Sequence, residues 1–256
     1  MQEACPALQF RFNAGMQNPV IVALDVPQAD AALALAAQLA PVVGAFKIGS
    51  ELFTSAGPDI VRRIRATGAP VFLDLKFHDI PNTVAGAVLS AAAMTGVQLV
   101  NVHALGGRAM LEAAVQAISA GVPMGADRPR LLAVTLLTSM DHRAMKEVGI
   151  GGEPKLRVVK LAQLAKKAGV DGVVASVQEA RAIRKACGRE FLIVTPGVRP
   201  KDKEGATKHD DQARTATPTE AMKAGADFIV VGRPILAAED PRAAAQAIVD
   251  EIALAK

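Results

Sequence analysis

The segment VFLDLKFHDIPNTV, residues 71–84, carries charged side chains of alternating sign in a strand-like context: Asp74, Lys76 and Asp79. Asp74 and Lys76 are two residues apart, so on a strand their side chains lie on one face. Both need partners, because an unpaired buried charge costs a great deal of free energy. Asp25 and Lys47, in two other apolar runs, can supply those partners.

An alternating set of carboxylates and ammoniums can keep all of its members ionised. At a separation of about 4 Å and an effective dielectric constant near 20, each opposite pair gains roughly 4 kcal/mol before desolvation. A lysine held in this way can stabilise developing negative charge and deliver a proton. The pattern therefore predicts a catalytic site. The alternative for Asp74 and Lys76 is a salt-bridge network that closes the end of the fold, and Asp79 could instead be a solvated acid at a loop or helix entry.

The elements that position these charges follow from the apolar runs. Eight runs of β-branched and aliphatic residues predict parallel strands buried on both faces; they are 20–25, 45–49, 71–75, 99–102, 131–137, 172–176, 191–195 and 228–232. Helical segments separate them, and several end in a glycine suited to the left-handed position after a helix. Eight alternating pairs in this length predict an α/β fold, a single-domain (β/α)8 TIM barrel. A doubly wound sheet is the alternative.

The outer limits of the barrel and two helix starts are also predicted. The barrel is expected to occupy residues 18–256, with residues 1–17 as an N-terminal extension that need not be ordered. Thr83 or Asn82 is expected to cap the helix after the third strand. Thr217 and Glu220, with a proline between them, predict a capping box before the last strand.

A barrel places its active groups at the carboxyl ends of its strands, and further polar residues fall there. Thr138 follows the fifth strand, and Gly232 and Arg233 follow the eighth. Loops after strands seven and eight often hold a phosphate; Gly232 would admit it close to the backbone, and Arg233 would bind two of its oxygens. The polar stretch 197–215 predicts a lid or a disordered segment. Its candidate ligand-binding donors are Arg199 and Gln212.

Composition excludes several kinds of partner. The 256 residues include no Trp or Tyr, and the net charge of +4 comes without dense basic runs, so a nucleic-acid partner is not expected. The longest apolar run, 31–46, is too short and interrupted to span a bilayer, and the first residues lack the apolar stretch of a signal peptide. Neither the two cysteines nor the four histidines have metal-ligand spacing. A cytoplasmic protein without a metal is expected. His103 is expected to be a structural histidine whose hydrogen bonds are satisfied; the alternative is that, at the end of its strand, it contacts the pocket.

Taken together, these motifs resemble the orotidine 5′-phosphate decarboxylase family. The resemblance runs from about Pro19 to the C-terminus and rests on segments in the family's order: ALDV, FKIGSELF, FLDLKFHDIPNTV, NVHALGG, VTLLTSM, TPGVRP, DQAR and VGRP. The D-x-K-x-x-D run followed by IPNT is the most specific of them. The resemblance implies a barrel that converts orotidine 5′-phosphate (OMP) to UMP and carbon dioxide in de novo pyrimidine biosynthesis, with no metal or organic cofactor.

The resemblance also implies roles for the matching residues. Lys76 would deliver a proton to C6 of the pyrimidine, and Asp74 would lie against the substrate carboxylate. Lys47 and Asp25 would belong to the charged set that also contacts the ribose. The remaining implied contacts are Asp79 and Thr83 across a homodimer interface into the partner's site, Thr138 or else Ser139 on the pyrimidine edge, Arg199 and Gln212 on phosphate and base, and Gly232 and Arg233 on the phosphate.

Three other functions are compatible with parts of this pattern. A magnesium-dependent sugar-phosphate decarboxylase or synthase would share the barrel and the D-x-K-x-x-D strand. A Schiff-base aldolase would use Lys47 or Lys76 as its nucleophile. A non-catalytic nucleotide-binding barrel would bind UMP without turnover, but the complete set of Asp74, Lys76 and Asp79 favours chemistry over silent binding.

Overall fold

Eight parallel strands close into a barrel in the computed structural model, which describes residues 16, 18–122, 128–200 and 216–254. Strands adjacent in the chain are adjacent in the barrel, and β8 pairs with β1 to close it. The strands are β1 Val20–Ala23, β2 Ala45–Gly49, β3 Val71–Phe77, β4 Val97–His103, β5 Arg130–Val134, β6 Gly172–Val174, β7 Leu192–Thr195 and β8 Phe228–Val231. Each overlaps a predicted run, so the (β/α)8 prediction is confirmed. The doubly wound alternative is wrong, because the closed sheet has no edge strand.

Helices follow every strand and cover the outside of the barrel. They are α1 Ala29–Leu39, α2 Ser50–Ala56, α3 Asp59–Arg65, α4 Pro81–Ala92, α5 Gly107–Gly121, α6 His142–Glu147, α7 Pro154–Lys167, α8 Val177–Cys187, α9 Pro218–Ala224, α10 Arg233–Leu236 and α11 Pro241–Leu254, with a 3₁₀ turn at Ala104–Gly106. The capping box of α9 is confirmed. The Thr217 hydroxyl accepts from the Glu220 N–H at 3.1 Å, and the Glu220 carboxylate accepts from the Thr217 N–H at 2.9 Å.

Helix α4 begins earlier than predicted. Its first residue is Pro81 and its N-cap is Ile80, which makes no side-chain cap. Thr83 and Asn82 lie inside the first turn, so the prediction that either of them caps the helix is wrong. Proline has no N–H to satisfy and its fixed φ suits the first helical position, so the helix can begin at Pro81 without a polar cap.

The barrel interior changes from apolar to charged along its strands. Ala45, Phe72 and Leu99 are inward-facing members of one buried apolar cluster. Because alternate residues of a strand face the same side, the next inward positions on β2, β3 and β4 lie two residues further along. Those positions are Lys47, Asp74 and Asn101. The barrel interior therefore has an apolar layer, followed by a polar layer nearer the carboxyl ends of the strands.

Two further predictions concern the N-terminal extension and membrane-spanning helices. Of the expected N-terminal extension, residues 1–17, the structure describes Met16 alone; its side chain is 5% exposed and belongs to the interior apolar cluster. The other residues of that stretch lie outside the described residues. Within the described ranges, no helix combines the length and the apolar character needed to cross a membrane.

Candidate active site

Four charged side chains meet at the carboxyl ends of β1, β2 and β3; we call them the charge network, and they are Asp25, Lys47, Asp74 and Lys76. The Lys76 ammonium donates to Asp74 Oδ1 at 2.7 Å. The Lys47 ammonium lies 2.9 Å from Asp25 Oδ1 and 3.4 Å from Asp74 Oδ2. Asp74 thus bridges the two lysines, and the predicted pairing of these four charges is confirmed.

Burial differs across the charge network and shapes its protonation. The side chains of Asp74 and Lys47 are 9% and 12% exposed, whereas that of Lys76 is 36% exposed. Burial alone would raise the pKa of Asp74, but the ammoniums of Lys47 and Lys76 hold it below its ordinary value. Burial alone would lower the pKa of Lys47, but the carboxylates of Asp74 and Asp25 raise it above its ordinary value. Both shifts favour the ionised forms, so the buried pair stays charged near neutral pH.

Asn101 is a member of the site that the sequence analysis missed. It lies on β4 and its side chain is fully buried. Its Nδ2 donates to Asp74 Oδ1 at 2.6 Å, and its Oδ1 accepts from the backbone N–H of Lys76 at 2.8 Å. The signal that could have found it is a lone amide at an inward position of a strand next to the one that carries Asp74 and Lys76.

His103 lies at the end of β4, two residues beyond Asn101. Its ring centroid is 5.4 Å from that of His78. Its Nδ1 is buried and has no hydrogen-bond partner in the described part of the chain, whereas the sequence analysis expected a structural histidine with satisfied hydrogen bonds. Burial, with smaller contributions from His78 and Lys76, lowers the pKa of His103 and so favours the neutral ring.

Asp79 and Thr83 make no hydrogen bond or ion pair with the charge network within the described part of the chain. Asp79 is exposed beyond the end of β3, where its carboxylate accepts from the N–H of Ile80 at 2.6 Å. Thr83 is exposed in the first turn of α4. Within the described residues, the structure therefore does not bring these two predicted site residues into contact with the four charges.

Two glycines border the charge network closely. A Cβ at Gly49, the last residue of β2, would lie 3.1 Å from the Lys47 ammonium nitrogen and 3.6 Å from Asp25 Oδ1. A Cβ at Gly232, directly after β8, would lie 3.5 Å from Asp25 Oδ2. Gly232 and Arg233 thus follow β8 at the same end of the barrel, as predicted, while Gly49 was not predicted.

The remaining predicted ligand-binding residues lie on loops. Thr138 is in a turn between β5 and α6, and Arg199 follows β7; both are half-buried. The backbone N–H of Arg199 donates to the carbonyl of Ala216 at 2.9 Å, which holds together the two ends of the polar stretch. Gln212 lies outside the described residues.

Comparison with known proteins identifies the family. A family model described as "Orotidine 5'-phosphate decarboxylase / HUMPS family" matches residues 18–248. The chain belongs to this family. Its members include a Moorella thermoacetica protein named orotidine 5'-phosphate decarboxylase, 51% identical over 251 residues that cover 97% of this chain and 98% of that protein.

Two further matches support the family membership. A Halorhodospira halophila protein with the same name is 56% identical over 92% of this chain and 96% of its own length. The crystal structure of orotidine 5'-phosphate decarboxylase from Lactobacillus acidophilus has a TM-score of 0.80 and 40% identity, and it covers 92% of this chain and 99% of that one. Within the described ranges of this family member, no three His, Cys, Asp or Glu side chains are grouped so that they could hold a metal ion.

Proposed function

We propose that the chain is a cytoplasmic orotidine 5′-phosphate decarboxylase, which converts OMP to UMP and carbon dioxide. The observation that carries the proposal is the Lys76 ammonium, held at 2.7 Å by the buried Asp74 carboxylate at the carboxyl end of the barrel. The relatives at 51% and 56% identity bear this enzyme's name, which favours it over a magnesium-dependent sugar-phosphate enzyme.

The reaction requires a group that both stabilises and protonates a carbanion. Breaking the bond between C6 and the carboxyl carbon releases carbon dioxide and leaves an electron pair on C6. That pair lies in an sp² orbital, which the ring's π system cannot readily delocalise, and we propose no cofactor to serve as an electron sink. The Lys76 ammonium stabilises the developing charge and transfers its proton to C6. The resulting amine regains a proton from solvent before the next turnover.

Asp74 and Lys47 prepare the site for that step. Asp74 is proposed to lie against the substrate carboxylate, so the repulsion between two carboxylates disappears as neutral carbon dioxide leaves. Because Lys47 and Lys76 both contact it, the pKa of Asp74 lies below its ordinary value, which favours the ionised carboxylate that this role requires. Lys47 and Asp25 are proposed to contact the ribose from the other side of the charge network.

The remaining proposed contacts bind the nucleotide away from the reacting carbon. Gly232 and Arg233 would hold the phosphate, since they follow β8 beside Asp25. Arg199 and Gln212 would contact phosphate and base, and Thr138 the pyrimidine edge. Interactions with the distant phosphate help catalysis by orienting the reacting centre.

A homodimer is proposed to complete each site. Asp79 and Thr83 are exposed and, within the described residues, make no contact with their own charge network, as expected of residues that act in the partner's site. Ile80 and Leu105 are 66% and 43% exposed and follow the neighbouring strands β3 and β4. A partner packed against this end of the barrel would bury these two apolar side chains.

The proposed function is tested by following the absorbance of OMP in the presence of EDTA. We expect each OMP consumed to yield one UMP and one carbon dioxide, and we expect EDTA not to change the rate. No consumption of OMP by the folded protein would refute the function. Consumption that EDTA abolishes and magnesium restores would support the metal-dependent alternative instead.

A further inference from the structure

The pairing of β3 with β4 is interrupted beside Lys76. Leu73 pairs with Val100, and the next pair is Phe77 with Val102. Three residues of β3, 74–76, therefore lie opposite Asn101 alone. Extra residues on one strand form a bulge, which leaves backbone groups without ladder partners and redirects side chains. The bulge contains both Asp74 and Lys76, so it determines where the carboxylate and the ammonium lie.

Within the bulge, Lys76 adopts a strained backbone conformation. Its φ of 51° is positive, which it shares with no other non-glycine residue in the described ranges. The left-handed region costs a residue with a side chain about 1 kcal/mol or more, and such conformations persist only where surrounding contacts hold them. Some contact of Lys76 must therefore stabilise this backbone.

The Asn101 side chain supplies that contact and joins it to the charge network. Its Oδ1 accepts the N–H of Lys76 at 2.8 Å, a hydrogen bond that would belong to a backbone carbonyl in a regular ladder. Its Nδ2 donates to Asp74 Oδ1 at 2.6 Å, the same oxygen that accepts from the Lys76 ammonium. One buried amide thus contacts the backbone of Lys76 and the carboxylate that pairs with its ammonium.

We propose that Asn101 is the positioning residue of the reaction: it substitutes for the missing ladder partner, keeps Lys76 in the left-handed conformation and aligns Asp74 with the Lys76 ammonium. The expected effect of Asn101 on kcat rests on the proposed decarboxylase function. Its expected effect on the backbone conformation of Lys76 does not. Asn101 need not touch the substrate. Its effect passes through Lys76 and Asp74, so it acts on the rate of the chemical step rather than on nucleotide binding.

Two substitutions at this position separate the two hydrogen bonds. Asn101→Ala removes both, and we expect kcat to fall by about 100-fold, as for a catalytic group displaced by about 1 Å, while UMP affinity changes by less than about threefold. Asn101→Asp keeps the acceptor for the Lys76 N–H. When protonated, this aspartic acid can also donate to Asp74; when ionised, it places a second carboxylate against Asp74. We therefore expect kcat of Asn101→Asp, relative to the wild type, to fall as the pH rises.

Val100→Ala is the matched control, because Val100 is fully buried on the outward face of the same strand. It should lower the melting temperature through a cavity while leaving kcat unchanged.

A crystal structure of Asn101→Ala tests the inference independently of activity, since Lys76 should leave the left-handed region and its ammonium should move away from Asp74. The inference is overturned if Lys76 keeps its conformation in that structure. It is equally overturned if Asn101→Ala keeps kcat within about threefold of the wild type, or if the relative kcat of Asn101→Asp does not depend on pH. Lack of OMP turnover by the wild type would refute the proposed function, and the crystal structure would still decide the role of Asn101.

Discussion

Asp74 is the residue on which the candidate site depends, because its carboxylate contacts both lysines and an amide. Lys47 and Lys76 lie 3.4 and 2.7 Å from its oxygens, and Asn101 lies at 2.6 Å. These contacts overcome the effect of burial and lower the pKa of Asp74. Within the described residues, Lys76 has one carboxylate partner where Lys47 has two, and its side chain is more exposed. Its ammonium can therefore turn toward a ligand while Asp74 stays paired with Lys47.

Substitution of Lys76 tests its proposed role as the proton donor. Lys76→Ala should lower kcat by at least about 10³-fold, since general acid catalysis and electrostatic stabilisation are lost together. UMP should still bind, because the proposed phosphate contacts are unchanged. Steady-state kinetics and calorimetric titration with UMP measure the two effects, and Lys160→Ala, an exposed lysine on α7, is the control. Near-normal turnover by folded Lys76→Ala protein would rule out the assignment.

His103 predicts a pH dependence of stability. Burial, His78 and Lys76 lower its pKa from the ordinary 6.5, so below that pH the unfolded chain binds more protons than the folded one. The stabilisation from neutral His103 is thus present above pH 6.5 and lost as the pH falls toward the folded-state pKa. We expect the free energy of unfolding to decrease less on acidification in His103→Gln than in the wild type. Urea titrations between neutral and mildly acidic pH would measure this, and equal pH slopes in the two proteins would contradict it.

At the scale of single elements, the sequence predicts those features that depend only on residues close together in the chain. All eight strands were predicted, because continuous apolar runs between polar segments are typical of strands buried on both faces. The pairing of Asp74 with Lys76 followed from their spacing and the need for partners. The bulge in β3 and the role of Asn101 were not predicted, because they depend on the register between two strands, which the barrel as a whole determines. The start of α4 was predicted wrongly because Pro81 makes a polar cap unnecessary.

The end of β2 offers a prediction about close packing at the charge network. Gly49→Ala would place a methyl group 3.1 Å from the Lys47 ammonium nitrogen, so Lys47 would shift relative to Asp25 and Asp74. We expect kcat/KM for OMP to fall by about tenfold, because a small displacement of a catalytic group has a large kinetic effect.

Gly86→Ala is the matched substitution on α4, where an added Cβ would meet no atom within 4 Å. It should leave kcat/KM unchanged and increase the free energy of unfolding by about 1 kcal/mol, because alanine is the better helix former. Kinetics and denaturant titration of both variants provide the measurement. The proposed crowding at Gly49 would be wrong if the two variants had the same kcat/KM.

At the scale of the whole molecule, the barrel separates the residues that stabilise it from those that could act on a ligand. The inward apolar layer of Ala45, Phe72 and Leu99 excludes water beneath the charge network. The polar layer then opens at the carboxyl ends of the strands, where ligands bind in this fold. Asp79 is the exception among the predicted catalytic residues, because it is exposed beyond the end of β3. Its position is understandable if a second copy of the chain brings it to the neighbouring site.

Mixed dimers test this arrangement directly. If each site takes Lys76 from one subunit and Asp79 from the other, both Lys76→Ala and Asp79→Ala homodimers should be nearly inactive. A heterodimer of the two variants then has one site with both defects and one site with neither. Random assembly of equal amounts makes half of the dimers mixed, so the co-expressed sample should recover about a quarter of wild-type activity. Differently tagged subunits allow the heterodimer to be purified and its OMP turnover measured. If a purified heterodimer does not turn over OMP, each site is built from one chain. Every subunit would then carry an inactivating substitution in its own site.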